Sequence, residues 1–121
     1  MNEQDIEQAI QAKGLTAPRV TPDDIEANIA SEHYFTAWDG ASLQLDGPSD
    51  IPASLRLLTF CVLVLRNGFT VTGESACASP ENFDAELGHK IARQKAVAKV
   101  WPLLGFRLRD QLLRDQLRIN Q

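Results

Sequence analysis

The chain has 121 residues, 44% hydrophobic and 23% charged, an ordinary globular composition with length for one core but not two. Twelve Lys and Arg against sixteen Asp and Glu leave a formal charge of −4, which argues against a dedicated DNA- or RNA-binding domain. Apolar runs fall far short of a membrane span, and "MNEQDIEQAI" has neither the basic nor the apolar part of a leader, so a cytosolic protein without membrane partners is expected.

Charge is unevenly spread. Residues 1–60 hold ten acids and three bases (Lys13, Arg19, Arg56), net −7, whereas residues 61–121 hold six acids and nine bases, net +3. A basic second half suits an anionic ligand, and it equally suits a solvated helix face or an acidic surface on the same or another chain.

The elements follow in chain order. Ile6, Ala9, Ile10 and Lys13 recur at helical spacing, and Gly14 supplies a stop. In "VTPDDIEANIASE", Thr21 is an N-cap, Pro22 stands at the first helical position, and Asp23 and Asp24 face the positive end of the dipole. "HYFTAWDGASLQL" reads as a hairpin turning at Asp39-Gly40, with Leu43 and Leu45 alternating on its return strand. "DGPSDIPAS", residues 46–54, reads as a loop.

"LRLLTFCVLVL" predicts a central strand, and Asn67-Gly68 predicts a two-residue turn into the next. That turn pairs Arg66 with Phe69, Leu65 with Thr70 and Cys61 with Glu74. One face then carries Leu58, Phe60, Val62, Val64, Phe69 and Val71 as a core surface. The other sets Leu57, Cys61, Leu63 and Leu65 beside Thr70, Thr72 and Glu74, a mixed face that suits a subunit contact or a ligand wall. Cys77 lies three residues beyond Glu74, out of bridging reach of Cys61, so both thiols are expected free.

Ser79 followed by Pro80 reads as the start of a helix, in which Phe83, Leu87 and Ile91 step by four. Pro102 stops or bends it, Gly105 lets the chain turn, and "FRLRDQLLRDQLRI" forms a last helix. The fold expected is α+β: N-terminal helices over 1–30, an antiparallel sheet of about four strands over 31–77, and C-terminal helices, one long and one final, over 79–119, in a single domain.

Catalytic signals are weak. His33 and His89 accompany no GxSxG elbow, and Glu74 is a carboxylate with no partner. Cys77 near a helix start could be an activated thiol, though it sits among small residues. No Cys/His cluster suits a metal, no glycine-rich loop suits a phosphate, and no cofactor or enzymatic activity is expected. Anion binding is better served. Ser75 and Ser79 line the strand-to-helix corner where backbone N–H groups point outward, Asn82 adds an amide, and Lys90 and Arg93 follow along the helix. The same residues also read as a capped helix with a solvated basic stripe.

Four words, "GFTVTGES", "SPENFDAELG", "KIAR" and "VWPLLGF" within residues 58–112, with "SEHYFTAWDG" upstream, resemble a small-protein family of tailed bacteriophages named for gene 49 and gene 66 products of two phages. The organisation is also similar to that of the Thoeris anti-defence sponges, phage proteins that form oligomers and sequester cyclic nucleotide signals made by host immune enzymes. That resemblance implies a non-enzymatic, homo-oligomeric sponge in the host cytosol for a cyclic nucleotide or cyclic ADP-ribose-type signal. Residue chemistry then selects Phe83 for base stacking and Ser75, Ser79, Asn82, Lys90, Arg93, Arg107 and Arg109 for polar and phosphate contacts. The alternative is a module that inhibits a host protein through its acidic half.

Overall fold

The computed structural model describes residues 2–44 and 51–120, and these group into two compact units. One takes in Met1–Asn28 and Val100–Gln121, the other Ile29–Lys99. In the first unit, α1 (Glu3–Ala12) is capped by Asn2, whose side chain accepts from the Asp5 N–H while Asp5 accepts from Asn2. It ends as its sequence demands: Gly14 adopts φ 65°, and the Leu15 N–H returns to the Ile10 carbonyl. The next helix, α2 (Pro22–Asn28), opens on the reciprocal Thr21–Asp24 pair. Ile25, four residues on, is 1% exposed.

The second unit holds β1 (Ile29–Thr36), β2 (Leu58–Leu65) and β3 (Thr70–Ala76) as an antiparallel sheet in the order β1-β2-β3. The fold is α+β, with three strands among the described residues rather than about four. The missing strand is the return arm of the expected hairpin. Thr36 accepts from the Asp39 N–H and Asp39 accepts from Thr36, a capping box that turns Ala37–Ala41 into a short helix, α3. Leu43 follows it, exposed, while Leu45 and most of the predicted 46–54 loop lie outside the described residues.

The β2–β3 turn has three residues, not two. Leu65 donates to the Phe69 carbonyl, Gly68 donates to the Leu65 carbonyl, and Gly68 takes φ 89°. Register therefore shifts by one, pairing Val64 with Thr70, Leu63 with Val71 and Phe60 with Glu74. A one-residue shift joins each side of β3 to the opposite side of β2. Thr59, Cys61, Leu63, Leu65, Val71 and Ser75 are buried: Val71 is core as expected, but beside it lie Cys61, Leu63 and Leu65, the β2 residues expected on the contact face. The face expected to be core, with Leu58, Phe60, Val62 and Val64, is half-buried, and Phe69 is exposed.

What covers the buried face is α4 (Ala85–Ile119), through Ala92, Ala96 and Val97. Gly73 makes the approach possible: a β-carbon there would run into the Ala92 carbonyl and the Ala96 nitrogen. Glu32 and Tyr34 of β1 meet the same helix. Arg93 binds Glu32 at 2.7 Å, and the Tyr34 ring stacks on His89 with centroids 4.5 Å apart. Burial pushes the Tyr34 hydroxyl up to about 12, and burial likewise raises the Cys61 thiol. Both cysteines are free.

α4 begins and ends elsewhere than predicted. Ser79 makes no side-chain cap; it precedes a 3-10 turn over Pro80–Asn82, and the Asp84 carboxylate accepts from the Leu87 N–H instead. At the far end Pro102 lies inside one continuous helix that replaces the expected pair. Val100 and Leu104, flanking Pro102, are fully or nearly buried. Each burial is worth roughly 1.5–3 kcal/mol, enough together to offset the ~3 kcal/mol of an interior proline. No helix among the described residues is long and apolar enough to cross a membrane.

Candidate functional site

The corner between β3 and α4 forms a cavity of about 180 Å³ within the sheet unit. Cys77 anchors it, its N–H donating to the Leu57 carbonyl at 3.0 Å and its thiol to the Ser79 carbonyl at 3.2 Å. Ser75, Asn82 and Phe83 line it as a group, together with Asp84, Leu87 and Ile91. Three of the predicted site residues thus meet, but no cation joins them. Lys90 pairs with Glu86 at 3.4 Å, and Arg93 is engaged by Glu32. The only charged lining residue is Asp84, already occupied as a cap. An apolar slot with an amide and a hydroxyl can hold a flat neutral group; it has nothing to neutralise a phosphate.

The helical unit holds the opposite chemistry. A cavity of about 350 Å³ is lined by Arg19, Arg107 and Arg114, by the amides of Asn28 and Gln111, and by Val20, Asp24, Leu104 and Leu108. Positions 104, 107, 108, 111 and 114 recur at helical spacing, so the buried Leu104 seats a face of α4 that presents two arginines and an amide. Arg107 donates to the Asn28 side chain at 3.3 Å, and Arg114 to the Gln111 side chain at 2.9 Å. Arg19 is held by both oxygens of Glu7, at 2.6 and 2.7 Å. Hydrogen bonds from Arg19 and Gln11 bring the Glu7 carboxyl down to about 2. The single lining carboxylate, Asp24, caps α2.

Such a set has the chemistry to hold an anion. Arg107 and Arg114 carry forked donors, the fork of Arg19 is closed on Glu7, and the amides both donate and accept. Arg107, selected from the sequence by residue type alongside the corner residues, lines this cavity instead, and Arg109, selected with it, is exposed and does not line it. Arg19, Asn28, Gln111 and Arg114 were missed. A usable signal existed for two of them, because 107, 111 and 114 fall on one helix face. Among the described residues no group of three or more His, Cys, Asp or Glu is placed to hold a metal ion.

A third cavity, of about 250 Å³, is almost wholly apolar, between Ile6, Ile10, Val20, Pro22 and Trp101. Trp101 donates its indole N–H to Glu3 at 3.0 Å, which satisfies the ring's one polar atom.

No curated protein and no solved structure matches the chain. The sequence model of the family described as "Phage protein (N4 Gp49/phage Sf6 gene 66) family" matches residues 20–112, most of the chain, and the protein belongs to that family.

Proposed function

We propose that this phage-family protein is a non-enzymatic sponge, a homo-oligomer that sequesters a cyclic nucleotide or cyclic ADP-ribose-type signal of host defence in the host cytosol. The observation that carries this reading is the cavity of Arg19, Arg107 and Arg114 with the Asn28 and Gln111 amides. A phosphate-bearing ligand gains charge-assisted hydrogen bonds there, and Leu104 and Leu108 offer apolar surface to a sugar or base. Turnover would require a group to move a proton or attack. The only carboxylate lining the cavity is committed to a helix start. Binding without conversion fits what remains.

The alternative, a module that inhibits a host protein directly, is favoured by one separate feature. α4 carries exposed Leu103, Phe106, Leu113 and Leu117, an apolar display of the kind protein contacts use. The two readings separate in one experiment. The protein is incubated with a mixture of cyclic dinucleotides and cyclic ADP-ribose, filtered, then heated to release what it holds, with chromatography at each stage. A nucleotide depleted and recovered intact supports the sponge. An altered product would make the protein an enzyme, and no depletion would leave the protein target.

A further inference from the structure

The arginines of the helical cavity differ in what each guanidinium already binds. Arg107 donates to the Asn28 side chain and Arg114 to the Gln111 side chain, and neither is ion-paired among the described residues. Arg19 is bound otherwise. Its Nη1 reaches Glu7 Oε1 at 2.6 Å and its Nη2 reaches Oε2 at 2.7 Å, with the two side chains only 27% and 13% exposed. Gln11, one turn further along α1, donates to the same Oε2 at 2.8 Å and fixes the carboxylate in place. Glu7 does not line the cavity, yet the guanidinium it holds does. We infer that Glu7 is a specificity-determining residue: by cancelling the charge of Arg19 it fits the cavity to ligands with two phosphate charges and excludes polyphosphates.

Charge balance selects this role. Arg107 and Arg114 supply the cavity's uncancelled positive charge, and Asp24, the lining carboxylate, is turned to the Thr21 N–H at the start of α2. Arg19 keeps N–H donors outside its Glu7 contact and still offers hydrogen bonds, but its charge is offset at contact distance. A cyclic dinucleotide has a phosphodiester on each side of its ring, and cyclic ADP-ribose has a pyrophosphate, with one charge on each phosphate. A nucleoside triphosphate brings nearly twice that charge, its terminal phosphoryl alone carrying roughly 1.5–2. In a cavity of about 350 Å³ the surplus leaves water with no cation to meet it, and an unpaired charge is costly to bury. A sponge gains from this rejection, because nucleoside triphosphates are abundant in any cell and would otherwise fill the site.

This inference rests on the proposed anion site. Calorimetry on the full chain with cyclic di-AMP, cyclic ADP-ribose and magnesium-free ATP tests it, with melting temperatures measured alongside. The wild type should bind the tighter of the two cyclic ligands at least about tenfold better than ATP. That comparison uses no variant and stands even where a substitution unfolds the protein. Glu7→Gln keeps the side chain's shape and an acceptor oxygen while removing its charge. It should tighten ATP binding by roughly tenfold or more and change the cyclic ligand less. Arg19→Gln leaves Glu7 uncancelled and should weaken both ligands, ATP the more. The double variant Glu7→Gln/Arg19→Gln restores the native charge sum with neither ion present, so the wild-type preference should return. A pair that acted only through structure would give no such recovery. ATP bound by the wild type as tightly as the cyclic ligand, an unchanged preference in Glu7→Gln, or no recovery in the double variant would overturn the inference and leave the anion site standing. A wild type that binds none of the three ligands would overturn both.

Discussion

The corner cavity of the sheet unit and the arginine-lined cavity of the helical unit differ in one physical respect. The corner of the sheet unit gathers Ser75, Asn82 and Phe83 around apolar walls with no free charge, and the helical unit gathers Arg19, Arg107 and Arg114 around 350 Å³. A helix start looked like an anion site because its N–H groups point outward. In the folded chain a carboxylate, Asp84, already occupies that end of α4. The phosphate-compatible chemistry instead sits where helix faces align guanidiniums. What separates the two is positive charge: the corner has none, whereas in the helical cavity Arg19 is held by Glu7 and Arg107 and Arg114 are hydrogen-bonded to neutral amides.

The largest expected effect tests the frame of the sheet unit. Gly73→Ala drives a methyl group into the backbone of α4, which cannot move aside as a flexible side chain can. The cost should be about 3 kcal/mol or more, read as a fall in denaturant midpoint. An effect below 1 kcal/mol would mean that helix and sheet are not in this contact. Second come the arginines. Arg107→Ala and Arg114→Ala should each weaken nucleotide binding roughly tenfold to a hundredfold by calorimetry, with melting temperatures little changed. Arg93→Ala and Lys90→Ala, outside both cavities, should leave affinity intact. Equal losses from all four would erase the distinction between the units.

Smaller effects sharpen it further. Asp84→Ala should cost about 1 kcal/mol of stability through the lost helix cap, whereas Ser79→Ala should fall within ~0.5 kcal/mol of wild type. The reverse order would restore the corner as first read. The smallest effect is a pH signature of the helical unit. The Glu7 carboxyl lies below its ordinary value when folded, so its pairing with Arg19 contributes stability above pH ~4.5. That contribution is lost as pH falls toward about 2, where the folded group protonates. The melting-temperature difference between wild type and Glu7→Gln should therefore shrink across that window.

Much of this fold was legible because its signals are local. Thr21, Pro22 and Asp24 announce α2 by capping chemistry alone, and Gly14 announces the end of α1. The failures come from choices between two local signals or from distant packing. Asn67-Gly68 serves a two-residue or a three-residue turn, and the one-residue difference set Val71 beside Leu63 instead of Val64, so the other side of β2 shares the core with it. Asp39-Gly40 resembles a hairpin turn, yet Thr36 three residues before Asp39 makes a capping box, and a helix forms. Pro102 ends a helix by local rules and is overruled by the burial of Val100 and Leu104. The corner residues Ser75, Asn82 and Phe83 could be grouped from sequence because they are close in the chain. Arg19 and Asn28 could not be joined to Arg107 and Arg114, since some eighty residues separate them and periodicity carries no information over that distance.

Depletion of signalling nucleotides by the wild type and by the Arg107→Ala/Arg114→Ala double variant tests the central claim most directly. Both proteins, at equal concentration and with their melting temperatures measured, are mixed with the same cyclic dinucleotides and cyclic ADP-ribose, and the free ligand is quantified after filtration. The account predicts that the wild type removes one nucleotide and releases it unchanged on heating, while the folded double variant removes at least tenfold less. Equal depletion by the two proteins, or none by the wild type, would contradict it.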